Sequence, residues 1–474
     1  MFKVTVKWNA QKYEGLEVNT QEPVEMFKAQ LYSLTGVEPS RQKLLTKGKF
    51  LKDETDLTTI PFQDGQLVTM MGTVGEIATA PIKPTVFLED LSEAEVNQAL
   101  ELPSGLVNLG NTCYMNSSLQ LLQSIPELRA QLDSYSGVTQ DSDPQLALVA
   151  SLKDLFSQLK ASGEGHPPFV FLQFLRMAFP MFSQQEGRGV YSQQDAEECW
   201  SSIITSLQRH LKGSNGASFV DQYMSGQFKV KMSCPEAPEE PPSLSTEPFL
   251  KLDCHISKDV NHLTSGLSEN FRTELDKNSP SLGRQARYIK ELAIDRLPLY
   301  LPVTFVRFFW KPAERVKAKI LKKVKFPFEL DLYPHCTKEL QEKLDLARAK
   351  ARELDEADKQ AQADGAAKPT PEELQQAFLR RQQAINEAAH PDLKDNAGNN
   401  LSGHYQLQAV LTHTGRTADS GHYMGWVRRE GFPNQWFKYD DDKVSIVDDA
   451  AIKNLDGGGD WHMAYILLYG PARG

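Results

Sequence analysis

The chain has 474 residues, of which 40% are hydrophobic and 24% are charged, so it is long enough to bury a large core. Its formal net charge of −10 argues against a nucleic-acid-binding protein, for which a basic surface is expected. Five cysteines in so long a chain do not form a disulfide framework, and no apolar leader or run of membrane-spanning length is found. These properties predict an intracellular protein in a reducing compartment.

The first seventy-odd residues predict a small domain of strands and one helix. Residues 1–8 alternate apolar and polar side chains as a half-buried strand does, and residues 14–18 can be its hairpin partner. Two later apolar segments, 43–51 and 66–71, add further strands. Between the hairpin and these later strands, one helix face is predicted from Pro23, Phe27, Leu31 and Leu34, closed by Gly36. This order resembles a β-grasp ubiquitin-like domain over residues 1–74, which would be either an inert solubility domain or a docking module.

Residues 75–103 are predicted to link this domain to the rest of the chain. Residues 73–84 are rich in Gly, Ala, Thr and Pro, which indicates an extended linker. A short helix is predicted over residues 92–102, with Ser92 as its N-cap and Glu95 three residues later.

A loop rich in turn formers leads into a helix at Cys113. Asn111 and Thr112 are good N-cap residues, and the helical pattern that follows ends at Pro126. Cys113 is therefore expected in the first turn, where unpaired backbone N–H groups and the helix dipole favour a thiolate. The same loop can place the Asn108 side-chain amide beside the Cys113 N–H, giving two donors for an oxyanion.

His422 and Asp440 are candidates for the base and the orienting carboxylate. Their separation suits two adjacent antiparallel strands, and residues 430–434 contain the glycine and proline for the turn between them. Which of Asp440, Asp441 and Asp442 orients the histidine is left open by the residues alone. A buried structural cysteine and a structural histidine are the alternatives to a catalytic pair.

Six motifs in the same order resemble those of the ubiquitin-specific proteases. They cover residues 105–122 (the cysteine box), 193–200, 297–308, 413–447 (the histidine box), 436–444 and 464–469. The resemblance extends over about residues 104 to 470 and implies an α+β, papain-like fold of fingers, palm and thumb in residues 104–474. It also implies that Cys113 is the nucleophile, His422 the base, Asp440 the orienting residue and Asn108 an oxyanion donor.

An N-terminal ubiquitin-like domain on this core resembles the proteasome-associated members of the family. The implied function is a deubiquitinating cysteine protease, without a cofactor, that cleaves between the C-terminal glycine of ubiquitin and lysine on proteasome-bound substrates or ubiquitin chains. The implied partners are ubiquitin, ubiquitinated proteins and the base of the 26S proteasome regulatory particle, with neither nucleic acid nor membrane. The protein is expected to be a monomer when free, in the cytoplasm and nucleus. The alternatives are a non-catalytic ubiquitin and proteasome adaptor and a general papain-like peptidase.

The chain departs from the family pattern in its fingers and in one insertion. Many relatives carry two Cys-x-x-Cys pairs there, whereas this chain offers only Cys234 and Cys254, so no structural zinc is predicted. Cys199 is predicted to be a core residue. The proline-rich residues 235–248 are predicted to be a mobile loop. Residues 337–400 are predicted to be a charged insertion with helices at 338–364 and 372–388 and a loop at 390–403, acting as a surface excursion or as a partner-binding arm.

Two segments beside the predicted site resemble loops that cover the groove for the ubiquitin tail. Residues 307–313 carry three aromatic side chains, and residues 415–421 form a small-residue loop that ends at His422. Exposed aromatic side chains over an empty groove would favour closure. Autoinhibition is therefore predicted, with low basal activity that rises on proteasome binding.

Overall fold

The structure is a computed structural model that describes residues 1–74, 100–140, 142–160, 165–186, 189–213, 216–311, 316–363, 370–415, 420–459 and 461–472. The chain divides into two compact units, Met1–Asp90 and Leu91–Gly474. The predicted linker and its helix fall almost wholly outside the described residues, so these domain boundaries remain predictions. Within the described ranges, no helix is both long and apolar enough to cross a membrane.

The first unit is a β-grasp domain. Its strands are β1 (Phe2–Trp8), β2 (Gln11–Val18), β3 (Lys43–Thr46), β4 (Lys49–Leu51) and β5 (Leu67–Met71), in the order β2-β1-β5-β3-β4, and its helix is α1 (Val24–Thr35). The central pair, β1 and β5, is parallel, and the predicted β1–β2 hairpin is confirmed. Phe27 and Leu31 are buried against the sheet, whereas Leu34 is 46% exposed and does not belong to the predicted face.

Helices at the start of the second unit form the thumb. The helices are α2 (Cys113–Gln123), α3 (Pro126–Asp133), α4 (Pro144–Leu159), α5 (Phe169–Ala178), α6 (Ala196–His210) and α7 (Phe219–Tyr223), together with a two-stranded ribbon of β6 (Gln185–Glu186) and β7 (Val190–Tyr191). Their apolar faces pack into one core with the inner faces of the palm strands. Cys199 is fully buried in that core, which confirms the prediction made for it.

A mostly antiparallel sheet forms the palm and carries the second half of the site. It contains β10 (Leu252–His255), β13 (Leu301–Val306), β16 (Glu329–Asp331), β17 (His404–Thr414), β18 (His422–Arg428), β19 (Gln435–Asp440), β20 (Lys443–Asp448) and β21 (Met463–Gly470). Beside it lie the helices α8 (Leu263–Asn270) and α12 (Asp449–Lys453) and a hairpin of β14 (Phe308–Lys311) and β15 (Val316–Lys319). The predicted pairing of the histidine strand β18 with β19 is confirmed.

The fingers are a four-stranded antiparallel sheet, and here one prediction is wrong. The sheet contains β8 (Gly226–Ser233), β9 (Ser243–Phe249), β11 (Arg272–Ser279) and β12 (Arg284–Arg296), in the order β11-β12-β8-β9. Strand β9 forms from the proline-rich residues that were predicted to be a mobile loop. Pro248 is tolerated because β9 is an edge strand, where a missing N–H removes no inner ladder bond. Glu240 fastens the segment further by accepting from the hydroxyls of Ser279 (2.7 Å) and Tyr288 (2.6 Å).

The two finger cysteines lie in different cores. Cys234 is buried in a small cluster of the fingers with Ala286 and Tyr288, whereas Cys254 is buried in the palm core. Burial raises the pKa of the Cys254 thiol to about 12. The two thiols are therefore separate core side chains and do not converge on one point.

The insertion enters between β16 and β17, which pair with each other in the palm. It contains α9 (Lys338–Ala363), α10 (Pro371–Ala388) and the short helix α11 (Pro391–Lys394), the last within the predicted loop. The first helix is not wholly solvated as predicted, because Leu340 and Leu344 are buried in the palm core. Sparse leucines spaced four residues apart are enough to dock one face of an otherwise charged helix.

Candidate active site

Cys113 is the first residue of α2 and is 3% exposed. The preceding loop is held by Asn108, whose side-chain oxygen accepts from the N–H groups of Gly110 (3.0 Å) and Thr112 (3.2 Å). Thr112 occupies the N-cap position, but its hydroxyl accepts backward from Leu109 N–H (2.9 Å) and does not cap the helix. In the first turn, Met115 N–H already donates to the Thr112 carbonyl at 3.0 Å, whereas the N–H groups of Cys113 and Tyr114 precede the first regular helical hydrogen bond, which runs from Asn116 to Thr112.

His422 begins β18 and Asp440 ends β19, the strand beside it. His422 Nε2 lies 2.7 Å from Asp440 Oδ1, and the imidazole is also hydrogen bonded to Cys113. These partners raise the pKa of His422 to about 9, with the Cys113 bond as the largest cause and Asp440 adding to it against the opposing effect of burial. The histidine is therefore a protonated imidazolium at neutral pH. It can pair with a thiolate and later deliver its proton to a leaving amine.

Two further donors point at the sulfur. The backbone N–H of Tyr423 lies 3.5 Å from Cys113 Sγ, and Gln193 Nε2 lies 3.8 Å from the same atom. Together with the imidazolium they surround the sulfur with hydrogen-bond donors. A negatively charged sulfur is stabilised by that arrangement.

The three aspartates after β19 have different partners. Asp440 is the one whose carboxylate meets His422, as the resemblance implies. Asp441 has a left-handed backbone (φ 54°), and its carboxylate accepts from Asn108 Nδ2 and Asn116 Nδ2, each at 2.8 Å. The Asp441 carbonyl accepts from Leu106 N–H at 2.9 Å. This turn therefore fastens the loop that carries Asp440 to the cysteine helix.

The turn also requires a glycine in the cysteine loop. A Cβ on Gly105 would lie 2.4 Å from the Asp442 carbonyl oxygen and 2.7 Å from that of Asp441. No side chain fits in that space. The glycine at the start of the cysteine box thus lets two distant segments meet closely.

Asn108, predicted as an oxyanion donor, is already bonded to Asp441 through its amide nitrogen. An amide nitrogen carries two hydrogens, so a role at the oxyanion requires the second one. Asn108, Cys113, His422 and Asp440 are thus brought together by the structure. Their catalytic roles stay predictions.

Sequence reasoning missed Asn116 and Gln193 as site residues, and it considered Asp441 only as an alternative orienting carboxylate. Asn116 could have been found, because it follows Cys113 by three residues and must share its helix face. The contacts of Asp441 form because its left-handed turn lies against a loop more than 300 residues earlier in the chain. No local sequence pattern predicts such a long-range contact.

We expect Asp441→Ala to lower both stability and activity. The change removes the acceptor of two amides, which costs about 1 to 3 kcal/mol of unfolding free energy and frees the Asp440 turn, so kcat should fall at least about tenfold. Thermal melting and steady-state hydrolysis measure the two effects. Asp442→Ala is the matched control, because Asp442 approaches the cysteine loop at Gly105 through its backbone atoms, which the alanine variant keeps. Equal losses in both variants would contradict this account of the turn.

His422, Asp440 and Asp441 form the cluster of possible metal ligands among the described residues, with one donor atom each within 4.8 Å. Their carboxylates are already engaged, that of Asp440 by the imidazole and that of Asp441 by two side-chain amides. The hydrogen bonds of the site account for the cluster without an ion.

The two segments predicted to cover the groove are joined at their bases by Lys319. Its Nζ donates to the carbonyls of His413 (3.2 Å) and Gly415 (2.9 Å) and lies 2.6 Å from His413 Nδ1. Burial lowers the pKa of Lys319 to about 8 and that of His413 to about 3. At neutral pH Lys319 is therefore protonated and donates a hydrogen bond to Nδ1 of the neutral His413 ring.

Phe308 does not match the prediction of exposed aromatic side chains. Its ring packs edge-on against His413 and Tyr465, which lie on the palm strands β17 and β21, with ring centroids 5.5 and 5.2 Å apart. Residues 312–315 and 416–419 lie outside the described residues. Autoinhibition therefore stays a prediction.

The site consists of a thiol hydrogen-bonded to an imidazole, which is itself hydrogen-bonded to a carboxylate, and it lies where a helix meets a sheet. These features define a papain-like thiol hydrolase. Residues 104–469 match the ubiquitin carboxyl-terminal hydrolase family, and residues 4–75 match the ubiquitin family. The chain therefore belongs to the ubiquitin carboxyl-terminal hydrolase family and is a cysteine-type deubiquitinase.

Relatives share this layout over nearly their whole length. The chain is 44% identical to ubiquitin carboxyl-terminal hydrolase 7 of Arabidopsis thaliana, over 99% of this chain and 98% of the relative. It is 41% identical to ubiquitin carboxyl-terminal hydrolase 6 of Schizosaccharomyces pombe (99% and 98%) and 37% identical to ubiquitin carboxyl-terminal hydrolase 14 of Caenorhabditis elegans (98% and 92%). The predicted family, fold class and enzyme class are confirmed.

Proposed function

We propose that this protein hydrolyses the bond between the C-terminal glycine of ubiquitin and a lysine amine on substrates or ubiquitin chains held at the proteasome. The observation that carries the proposal is the Cys113–His422–Asp440 arrangement inside a ubiquitin carboxyl-terminal hydrolase domain. A donor-lined sulfur and a protonated imidazole supply the nucleophile and the acid that amide cleavage needs.

The first half of the reaction forms a thioester. The Cys113 thiolate attacks the glycine carbonyl, and the carbonyl electron pair moves to oxygen, where the Cys113 N–H and the Asn108 amide stabilise it. The intermediate then collapses and breaks the carbon–nitrogen bond. His422 donates the proton on the ring nitrogen that faces Cys113 to the departing lysine amine.

In the second half, the neutral imidazole accepts a proton from water as the water attacks the thioester. Collapse of this second intermediate breaks the carbon–sulfur bond, which restores the thiolate and imidazolium and releases ubiquitin with a free carboxyl group that loses its proton to solvent. Asp440 keeps the ring oriented throughout through its bond to Nε2.

Docking on the base of the proteasome regulatory particle is proposed for the first unit. Support comes from its ubiquitin-family match, its complete core, and relatives that match along the whole chain, this unit included. We also propose that the protein is a monomer when it is not bound to the proteasome, and that it is found in the cytoplasm and nucleus. Five unpaired thiols are in keeping with a reducing compartment.

Activation at the proteasome is proposed to act through the two segments beside the groove. Their bases are joined by Lys319, so movement of one is transmitted to the other. Closure worth about 1.5 to 3 kcal/mol would lower basal activity by about one to two orders of magnitude.

We therefore expect the isolated full chain to hydrolyse a ubiquitin C-terminal fluorogenic reporter slowly, and proteasomes whose own deubiquitinases are blocked to raise the rate about 10- to 100-fold. A chain lacking residues 1–74 is the control, and its rate should stay low with proteasomes present. A full rate for the isolated chain would contradict autoinhibition. Stimulation of the shortened chain would contradict docking through the first unit.

A further inference from the structure

Gln193 lies at the catalytic sulfur but has no part in the three-residue arrangement. Its side-chain nitrogen Nε2 is 3.8 Å from Cys113 Sγ, and the residue is half-buried. It precedes α6, which begins at Ala196 with Asp195 as its N-cap. An amide at this position either supports the fold or contacts the reacting atoms, and its surroundings favour the second.

The segment around Gln193 is fastened on both sides. Before it, the Tyr191 carbonyl accepts from Asn111 Nδ2 at 3.0 Å, which joins the segment to the cysteine loop. After it, Asp195 Oδ1 accepts from the hydroxyl of Tyr465 at 2.8 Å and from the Glu197 N–H at 2.8 Å. With both ends held, the Gln193 amide is positioned in advance, as effective electrostatic catalysis requires.

The oxyanion is the group that such an amide can serve. When sulfur bonds to a carbonyl carbon, the former carbonyl oxygen becomes negatively charged and stays beside the sulfur. Effective donors lie about 2.7 to 3.1 Å from that oxygen. Asn108, the donor expected from sequence, already gives an amide hydrogen to Asp441, whereas the described contact of the Gln193 amide is with the sulfur.

We propose that Gln193 is a catalytic residue whose side-chain amide donates a hydrogen bond to the oxyanion formed when Cys113 attacks the C-terminal carbonyl of ubiquitin. This deepens the proposed function and rests on it. The interaction is made in both intermediates, because an oxyanion forms at the same carbon during attack by the thiolate and during attack by water. No proton is transferred to or from the amide.

The test compares reactions that do and do not form an oxyanion, using the full chain. Single-turnover hydrolysis of a ubiquitin C-terminal reporter, with enzyme in excess, and binding of ubiquitin aldehyde both place a tetrahedral oxygen beside the sulfur. Alkylation of Cys113 by iodoacetamide does not. We expect Gln193→Ala to lower the hydrolysis rate about 10²- to 10³-fold. Aldehyde binding should weaken in parallel, while the alkylation rate, which depends on the thiolate but forms no oxyanion, should change by far less than the hydrolysis rate.

Two further variants keep the result interpretable. Gln193→Met keeps the length of the side chain without its donor. If Gln193→Ala does not fold, Gln193→Met replaces it, and the same losses in hydrolysis and aldehyde binding are expected. Ser192→Ala, at the neighbouring position, is the control and should match the natural chain in all three assays. An alkylation rate that falls as far as hydrolysis, or an unchanged aldehyde affinity, would overturn the oxyanion role. If the natural chain itself does not hydrolyse the reporter, the proposed function fails instead.

Discussion

Replacement of Cys113 by alanine is expected to lower hydrolysis of a ubiquitin C-terminal reporter by about 10⁶-fold, the loss typical of removing a catalytic nucleophile. The thiol forms the bond on which every later step depends, so no other donor at the site can compensate. The affinity for ubiquitin should persist, because Cys113 is only 3% exposed and gives little surface to a ligand.

The measurement pairs steady-state hydrolysis with ubiquitin binding by calorimetry. Cys234→Ala is the matched control, since Cys234 is an equally buried thiol in the core of the fingers, and it should keep full activity. Turnover that survives in Cys113→Ala would refute the assignment of the nucleophile. Loss of activity in both variants would point to a general effect on folding.

Replacement of Asp440 by asparagine is expected to lower kcat by about 10²- to 10⁴-fold near neutral pH and to narrow the pH range of activity. In the natural chain the pKa of His422 is raised to about 9, so the imidazolium persists through neutral pH and is lost as pH rises through that value. Activity should fall along this alkaline limb. Asparagine keeps the shape of the carboxyl group but not its charge, so the limb should move to lower pH.

An NMR titration of His422 separates the causes of the raised pKa. The bond to Cys113 is the larger cause and Asp440 the smaller of the two, so the pKa should fall more in Cys113→Ala than in Asp440→Asn. Asp442→Ala, whose carboxylate does not meet the ring, should leave it unchanged. An alkaline limb that stays in place in Asp440→Asn would contradict the role given to this carboxylate.

Elements with a strong local period were predictable from the sequence. The β1–β2 hairpin, the helix at Cys113 and the pairing of β18 with β19 all form as expected, because alternation, helix boundaries and turn residues act over short distances. The motifs of the cysteine and histidine boxes also indicated the site before its geometry was known.

Features that depend on tertiary contact were not predictable. Strand β9 forms from a segment rich in proline and glutamate because the neighbouring strand β8 offers it an open edge and the hydroxyls of Tyr288 and Ser279 donate to Glu240, just before the strand. Helix α9 has a charged sequence, yet Leu340 and Leu344 find space in the palm core. In both cases long-range packing overrides a local preference.

The same reason explains the parts of the site that were missed. Asp441 and Asn116 meet across 325 residues of sequence, and Gln193 reaches Cys113 across 80. Motif reading places such residues near a site without saying which atom each one contacts. Only the packing of the thumb helix against the palm strand defines those contacts.

The central claim is that Cys113 is the nucleophile of a hydrolase that recognises ubiquitin. Its most direct test is to treat the full chain with ubiquitin carrying a C-terminal vinyl sulfone and to locate the adduct by peptide mass spectrometry. We predict one adduct per chain, on Cys113, with parallel loss of hydrolysis and no comparable reaction with a short unrelated peptide bearing the same electrophile. An adduct on another cysteine, or equal labelling by the unrelated peptide, would contradict the claim.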